Sequence, residues 1–482
     1  MNGQVKDRTN DRSGERIWSG ASPDEVRRDL EPLIEFVEEG RDLTEIGRLL
    51  DERLAPHLMR YDLPTFQSMF NCRPEVGALF GAEWSLPWNQ GVTNWQVSPG
   101  AAVLEEMACE ALASLLGLPG FGGTVMYCGT YANQQALYLA LHNRAEKGGF
   151  DYTTAGLEGF ADHARLAVLV SEDAHFSLRH AVRLLGLGEQ SLVAVGVDEN
   201  RRLDTGDLRD KLAKMKETGV REPVCVVATA GTTSTGSVDP LNEIAALCTE
   251  HDIWLHVDGA YGLAYRLVPE RSGLFAGAER ADSVSWDPHK QFGAPIPSSL
   301  LFTRRPADLY RMALFADYFN RPDSVEPNPG TKSVPSTRPF TALPIVTSIL
   351  HRGLAGVRAD LAQPVNVMEA LHAFLDSQTD TEPLHAPDTG IQCFRIIPAG
   401  VPPERLNELQ TLIYRNLLAA GERSLSITGL GEVTALRLVS VATAVTLPDA
   451  VATVEAARAE AERIMAEDSG PWMTEADSES GS

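Results

Sequence analysis

The sequence predicts an α/β fold built on a mostly parallel β-sheet with helices on both faces. Three segments of strand length that are dominated by apolar residues, 166–171, 224–230 and 254–258, alternate with segments of helical periodicity. Because strands buried on both faces consist largely of apolar residues, this alternation favours a parallel sheet. Alternation alone would also suit a nucleotide-binding fold, but the chain lacks a G-x-G-x-x-G motif after its first strand and a Walker lysine.

The composition limits the class of protein. A chain of 482 residues with 43% hydrophobic and 22% charged residues suits a globular protein with one large domain and smaller terminal parts. Its net charge of −24 argues against a nucleic-acid partner, which would need a basic patch. We expect no membrane segment, because no uncharged apolar run could span a bilayer. Six scattered cysteines form neither a disulfide nor a zinc pattern, so we expect no metal site and a reducing, cytoplasmic location.

The chain is expected to divide into five segments. Ser22-Pro23-Asp24-Glu25 predicts a helix start, with a capping serine, a proline in the first turn and two acids. Both ends of the chain are polar and predicted to be disordered. The expected segments are a disordered tail (1–20), an N-terminal helical segment with loops (21–99), a large domain (100–360), a small C-terminal α+β domain (361–466) and a disordered acidic tail (467–482).

Lys290 lies between two predicted strands and not in a solvated run of charges. Residues 281–286 before it alternate as a strand does, and residues 300–302 after it form a second apolar segment. Burying a lysine costs desolvation free energy unless its charge is used or neutralised. Capture as a Schiff base by an aldehyde cofactor removes that cost, and a desolvated lysine is a good amine nucleophile.

Asp258 ends a predicted buried strand and is followed by small residues. The carboxyl ends of strands in an open α/β sheet are where ligands bind. The cofactor that needs both a lysine Schiff base and a carboxylate at a pyridine nitrogen is pyridoxal 5'-phosphate (PLP). Lys290 and Asp258 together therefore indicate a PLP site.

Two motifs carry a family resemblance: His256-Val257-Asp258-Gly259-Ala260-Tyr261-Gly262 and Asp287-Pro288-His289-Lys290. In this order they resemble the group II PLP-dependent decarboxylases, which include the aromatic amino acid, glutamate and diaminobutyrate decarboxylases. The resemblance covers about residues 60–460 and implies PLP fold type I, with a seven-stranded type of sheet. It implies that the loops of 21–99 form the substrate entrance and that 100–360 is the large PLP-binding domain. It implies decarboxylation of an amino acid or an amino-acid derivative, through an external aldimine and a quinonoid, to an amine and carbon dioxide. It also implies a homodimer with active sites at the subunit interface.

The resemblance also implies roles for single residues. Lys290 would bind the cofactor, Asp258 would pair with the pyridine nitrogen, and His175 would stack on the ring, although a histidine just past a strand is often a surface or capping residue. His289 would transfer a proton or simply brace its turn. The other cofactor-binding candidates are Gly129 and Thr130 in a phosphate-binding turn, Thr233 near the ring, Ala260 beneath it, and Asp287. The substrate-binding candidates are Phe70, Asn71 and Cys72, for which a packed aromatic loop is a nearly even alternative.

The chain departs from the family pattern in two places. Tyr127 and Cys128 replace smaller residues before the phosphate-binding turn, and no tyrosine occurs in 319–336, where the family usually carries the tyrosine that protonates the product. The second departure motivates an alternative reaction: decarboxylation coupled to oxidative deamination, C–C lyase cleavage or transamination. A protein of another class, a catalytically silent PLP-binding homologue that acts as a partner protein, is disfavoured by the intact Asp258 and Lys290.

Two arginines each allow two interpretations. Arg338 lies in a segment that matches the family and is interpreted as a structural or interface cation. Arg437, in a predicted C-terminal strand, could meet a substrate carboxylate, but we prefer to interpret it as a surface arginine on an edge strand.

Overall fold

The computed structural model describes residues 16–36, 38–316, 326–441 and 444–467. The chain divides into two compact units. The large unit comprises Phe70–Met368 and His385–Ile391, and the small unit comprises Met1–Met69, Glu369–Leu384 and Gln392–Ser482. The five segments expected from the sequence remain predictions.

The helices and strands are named here in chain order. The helices are α1 (Pro23–Ile34), α2 (Leu43–Leu49), α3 (Val76–Ser85), α4 (Pro99–Leu115), α5 (Gly129–Lys147), α6 (Tyr152–Ala155), α7 (Ser177–Leu184), α8 (Thr205–Thr218), α9 (Leu241–His251), α10 (Ala342–Asp376, interrupted at Gly353), α11 (Leu406–Ala420) and α12 (Leu447–Glu467). The strands are β1 (Gly122–Met126), β2 (Leu166–Ser171), β3 (Leu192–Val195), β4 (Glu222–Thr229), β5 (Trp254–Asp258), β6 (Ser283–Trp286), β7 (Ser299–Thr303), β8 (Thr381–Pro383), β9 (Ile391–Ile396), β10 (Ser426–Leu430) and β11 (Val433–Val439).

A seven-stranded sheet forms the centre of the large unit, which confirms the predicted fold class. Its strand order is β1-β7-β6-β5-β4-β2-β3, and β7 alone runs antiparallel to its neighbours. Every residue of β2 and of β5 is buried, as expected for strands covered on both faces. Because six strands run in the same direction, the segments that follow them emerge at one edge of the sheet.

Two residues separate β1 from helix α5, which packs along the sheet. Its buried face alternates small residues such as Ala132, Ala136 and Ala140 with Leu137, and these join the apolar core around β2 and β4. Small side chains let a helix approach a sheet closely, so the first turns of α5 lie directly against the neighbouring strands. The side chain of Asn133 in the second turn is consequently buried.

A buried ion pair stabilises the large unit beneath β1. Arg338 is 2% exposed and its Nη2 lies 2.8 Å from Glu105 Oε1. Its Nη1 donates hydrogen bonds to Thr124 Oγ1 at 3.1 Å and to Val125 O at 2.7 Å. These contacts agree with the structural alternative of the two that the sequence left open.

The small unit carries a second sheet, with strand order β10-β11-β9-β8. Arg437 lies on β11, which has a neighbour on each side; it is 5% exposed and donates to Ser68 O at 3.0 Å. The interpretation of Arg437 as a surface arginine on an edge strand is therefore wrong, because the pairing of β11 with both β10 and β9 places it inside the sheet.

Two further predictions concern the helices of the chain. Ser22 caps α1 as predicted: its Oγ accepts from Glu25 N, and Glu25 Oε2 accepts from Ser22 N at 2.7 Å. Among the residues that the structure describes, none of the helices combines the length and the apolar character needed to cross a membrane.

Candidate active site

The predicted cofactor residues follow the carboxyl ends of different strands of the large sheet. Gly129 follows β1, His175 follows β2, Thr233 follows β4, Asp258 ends β5, and Lys290 follows β6. Since these five strands are parallel, their carboxyl ends meet at one edge of the sheet. Residues spread over 160 positions of sequence are thereby brought to a common region.

Lys290 lies in a turn and its ammonium group is largely shielded from solvent. The side chain is 22% exposed, and Nζ is 3.2 Å from Asp287 Oδ2 and 5.6 Å from the centroid of the Phe70 ring. The backbone N–H of Lys290 donates to Asp287 O at 3.0 Å, which closes the turn. Lys290 O accepts a hydrogen bond from the thiol of Cys72 at 3.4 Å. Burial raises the pKa of that thiol to about 11, so it is protonated and able to donate.

The first residue of α5 lies against the same turn. A Cβ on Gly129 would be 2.9 Å from Asp287 Oδ2 and 3.1 Å from Ala260 Cβ, so the absence of a side chain permits the close approach. The Asp287 carboxylate also accepts from Ser299 Oγ at 2.6 Å. The first N–H groups of a helix have no partner within it and attract anions, which makes this end of α5 suited to a phosphate.

Asp258 is buried and ionised. It is 6% exposed and accepts hydrogen bonds from Asn133 Nδ2 at 2.7 Å, Ser285 Oγ at 3.1 Å and Ala260 N at 3.2 Å. Burial opposes ionisation, but the Lys290 ammonium and hydrogen bonds such as that from Asn133 outweigh it and lower the pKa of Asp258. A carboxylate of this kind can pair with a protonated pyridine nitrogen.

Burial favours the neutral form of both predicted active-site histidines. His175 Nδ1 accepts from Ser177 N at 3.2 Å, which assigns the ring proton to Nε2, and burial lowers the pKa of His175. Burial also lowers the pKa of His289, whose Nδ1 contacts the carbonyl oxygen of Ser298. His289 Nε2 lies 3.7 Å from Asp287 Oδ2. A neutral imidazole can lie flat on an aromatic ring without the cost of burying a charge.

The remaining candidates border this cluster. The Phe70 ring packs on Tyr261 with centroids 4.4 Å apart, and Asn71 lies half-buried between Phe70 and Cys72 in the chain. Thr130 is the second residue of α5 and is half-buried. Phe70 and Cys72 both contact Lys290, so the segment reaches the site, and both the packed-loop and the substrate-pocket interpretation remain open.

Thr233 lies in the turn after β4 and is half-buried. The hydroxyl of its neighbour Thr232 is buried and bonds to Thr235 Oγ1 at 2.8 Å, and the choice between the two threonines stays a prediction. The Tyr127 hydroxyl donates to Thr337 O at 2.9 Å, and Cys128 caps α5 without a side-chain hydrogen bond. The side chains at these two departures from the family pattern therefore do not occupy the N–H groups at the start of α5.

Several polar residues of the site were not predicted from the sequence. Asn133, Ser285 and Ser299 are fully buried and hydrogen-bond to the two carboxylates of the cluster. Two signals were present: Ser283-Val284-Ser285 places two hydroxyls on one face of a strand, and Asn133 lies one turn after Gly129 on the same helix. Neither signal identifies a partner without the packing of α5 on β5 and β6.

These groups fit PLP by their chemistry. An amine, an ionised carboxylate, a flat neutral imidazole and a helix N-terminus match its aldehyde, pyridine nitrogen, ring face and phosphate, respectively. The absent side chain of Gly129 lets Asp287 and Ala260 lie close against the start of α5, where a Cβ would not fit.

Comparisons with known proteins agree with this chemistry. The family model described as the pyridoxal-dependent decarboxylase conserved domain matches residues 23–397. The chain is 34% identical to L-2,4-diaminobutyrate decarboxylase of Rhizobium meliloti (strain 1021), over 80% of this chain and 76% of that protein. It is 28% identical to aromatic-L-amino-acid decarboxylase of Bacillus atrophaeus, over 84% of this chain and 82% of that protein. The structure of Oryza sativa TDC with PLP and tryptamine has a TM-score of 0.85 at 21% identity, over 93% of this chain and 94% of that chain, and shares the fold.

Proposed function

Because the chain belongs to the family of pyridoxal-dependent decarboxylases, we propose that Lys290, Asp258 and His175 form the site at which it decarboxylates an amino acid. The reaction class and the cofactor follow from the family: the protein is a PLP-dependent amino-acid decarboxylase. The roles of single residues are proposals. The observation that carries them is that Lys290, Asp258 and His175 end or follow parallel strands whose carboxyl ends lie at one edge of the sheet.

Each residue has a task that its surroundings support. Lys290 Nζ would hold the cofactor covalently, and the ionised Asp258 would accept a hydrogen bond from the pyridine nitrogen and keep that nitrogen protonated. His175 would cover one face of the ring and Ala260, with its small side chain, would leave room at the other. When bound, PLP supplies the sink for the electron pair left on the substrate α-carbon as carbon dioxide departs. The start of α5 at Gly129 and Thr130 would bind the phosphate.

Replacing the lysine tests this assignment. We expect Lys290→Ala to lose the visible absorbance of covalently bound cofactor together with carbon dioxide release. Lys147→Ala is the control, since Lys147 lies on the last turn of α5, where its Nζ donates to Asp252 O at 2.8 Å. An unchanged absorbance band in Lys290→Ala would end the assignment.

The proton that replaces the lost carboxyl group needs a donor. We propose His289, which would first take up a proton at Nε2 beside Asp287 and then pass it on, because its ring is braced at Nδ1 by the carbonyl oxygen of Ser298. Residues 319–325 of the loop that lacks a tyrosine lie outside the described residues.

The alternative of oxidative deamination, C–C lyase or transaminase chemistry is not favoured by the comparisons, since the curated relatives are named decarboxylases. Amine and carbon dioxide in equal amounts are expected; aldehyde, ammonia and peroxide would contradict the proposal.

We propose L-2,4-diaminobutyrate as the first substrate to test. The support is the 34% identity to a protein named for this substrate, against 28% for a protein named for aromatic amino acids. A panel of diaminobutyrate, glutamate and aromatic amino acids, read as kcat/KM for carbon dioxide release, decides between them. A higher kcat/KM for an aromatic amino acid would overturn this choice without affecting the reaction class.

We propose that the protein is a homodimer. One face of α3 packs tightly, since Gly77 and Gly81 lie against α10, but the opposite face exposes Val76, Phe80 and Trp84 at a spacing of four residues. Phe80 is 63% and Trp84 54% exposed, and apolar helix faces of this kind mark protein–protein contacts. In the small unit, α1 is described in full and has no buried residue, which also suits a partner surface.

The mass in solution tests the dimer. We expect twice the chain mass of 52.3 kDa for the wild type and dissociation of Phe80→Asp. Val220→Asp is the control, because Val220 is exposed to a similar extent outside α3. A monomeric wild type that is fully active would contradict both the dimer and a site at its interface.

We also propose a cytoplasmic location. All six cysteines lie among the described residues and are free thiols, as a reducing compartment favours. Fractionation of cells that express the protein would test this proposal, and recovery outside the cytoplasmic fraction would contradict it.

A further inference from the structure

A line of buried polar side chains extends behind Asp258, away from the cofactor site. Trp254, His256 and Asp258 alternate along β5 and share one face, and Ser283 is the register partner of His256 on β6. Asn133 reaches the same face from α5. All five side chains are at most 6% exposed. We call them the polar chain.

Consecutive members of the polar chain are hydrogen-bonded. Trp254 Nε1 donates to Ser283 Oγ at 3.0 Å, and Ser283 Oγ lies 2.9 Å from His256 Nδ1. His256 Nε2 lies 3.0 Å from Asn133 Oδ1, and Asn133 Nδ2 donates to Asp258 Oδ2 at 2.7 Å. The order is therefore Trp254, Ser283, His256, Asn133, Asp258.

The carboxylate end fixes the direction of these hydrogen bonds. An ionised carboxylate only accepts, so the amide of Asn133 must present its NH₂ group to Asp258 and its oxygen to His256. His256 must then carry its proton on Nε2 in order to donate to that oxygen. Its Nδ1 is left as an acceptor, which requires Ser283 to donate.

The opposite end is compatible with the same direction. The indole N–H of Trp254 only donates, so Ser283 Oγ accepts it and still has its own proton to donate to His256. A doubly protonated His256 would break this pattern, but burial lowers the pKa of His256 to about 4 and keeps it neutral. The carboxylate end thus fixes one arrangement of the protons, and the indole end can accommodate it.

The arrangement has a consequence for the charge of Asp258. The donor that reaches the carboxylate is a neutral amide, whose second hydrogen is held by Ser177 Oγ at 2.9 Å, and the histidine behind it carries no charge. A neutral donor orients the carboxylate and disfavours its protonation without forming an ion pair with it. The negative charge then remains available to a cation on the opposite side.

We infer that His256, acting through Asn133, is a positioning residue that holds Asp258 oriented and ionised toward the cofactor's pyridine nitrogen. The inference rests on the proposed role of Asp258. Its alternative is that the polar chain merely satisfies buried hydrogen-bonding groups and does not affect the cofactor.

The first experiment reads the proton on His256 directly. In the cofactor-free protein labelled with ¹⁵N-histidine, NMR is expected to show His256 as the neutral Nε2–H tautomer at pH 7, with its signal assigned by its loss in His256→Gln. A neutral Nδ1–H tautomer or an imidazolium would overturn the inference. This measurement needs neither activity nor bound PLP.

The second experiment compares two variants that differ in reach. His256→Gln keeps a donor near the position of Nε2, whereas His256→Asn keeps a polar group near Nδ1 and cannot reach Asn133. We expect the dissociation constant of PLP, titrated into cofactor-free protein, to stay within about threefold of wild type for the glutamine variant. For the asparagine variant it should rise about ten- to hundredfold, because Asn133 would no longer be held in place to donate its hydrogen bond to the charged Asp258.

A third variant serves as the matched control for loss of a buried imidazole. His142→Phe removes a histidine that is 3% exposed on α5 but outside the polar chain, and it should bind PLP as the wild type does. Equal PLP affinities for His256→Gln and His256→Asn would overturn the inference. A wild type that binds no PLP would instead refute the proposed function, and the tautomer measurement would still stand by itself.

Discussion

The burial of His256 predicts that the protein loses stability in mildly acidic solution. His256 is fully buried, and its pKa is lowered from the ordinary 6.5 to about 4. In the unfolded chain the same ring binds a proton near pH 6.5, so below that pH the unfolded state holds more protons. Stability from this residue is complete above pH 6.5 and is lost as the pH falls toward 4. At pH 5.5 the loss is about 1.4 kcal/mol, one unit below the unfolded pKa.

Denaturant unfolding of the cofactor-free protein between pH 7.5 and 5.5 measures this effect. The variant His256→Gln has no group that titrates there, so its free energy of unfolding should decline less than that of the wild type by about 1.4 kcal/mol. Burial also lowers the pKa of His142 to about 4, and His142→Phe should remove a separate share. An equal decline for the wild type and His256→Gln would refute the reasoning, since His256 would then bind its proton in the folded protein.

Three further predictions concern the site and its support. Gly129→Ala places a methyl group 2.9 Å from an Asp287 oxygen and should weaken PLP binding about tenfold in a titration; an unchanged affinity would show that the turn yields freely. Asp287→Asn keeps the contact with Ser299 but removes a negative charge beside the start of α5. Because that charge would repel the phosphate, PLP should bind more tightly to the variant. Weaker binding would contradict the proposed phosphate site. In Arg338→Met, Glu105 is buried without its cation, and the free energy of unfolding measured in denaturant should fall by about 3–5 kcal/mol. Combining Arg338→Met with Glu105→Leu should recover most of that loss. A loss below about 1 kcal/mol in Arg338→Met would show that the ion pair is dispensable.

Much of the fold could be predicted because its signals are local. A short segment dominated by apolar residues predicts a strand covered on both faces, and β2 and β5 are such strands. The capping serine and acid of α1 lie three residues apart and satisfy each other. The placement of Asp258 at a strand end and of Lys290 in a turn between strands likewise needed only the neighbouring residues.

Other features depend on which elements become neighbours. Arg437 was expected on an edge strand, but strand order is not a property of one strand's sequence, and β11 acquires a neighbour on each side. The thiol of Cys72 meets the carbonyl of Lys290 although 218 positions separate them. No local pattern specifies such a contact.

The sequence by itself determined the alternation of strands and helices, the lysine, the carboxylate and the chemistry that their pairing requires. Only the tertiary structure decided what surrounds that carboxylate, because Asn133 reaches Asp258 from 125 positions away and His256 meets its serine across the parallel register of β5 and β6. Periodicity fixes the face of a strand on which a side chain lies. The hydrogen-bond partner on that face is set by packing, because each buried donor and acceptor must be satisfied by whichever element comes to lie beside it.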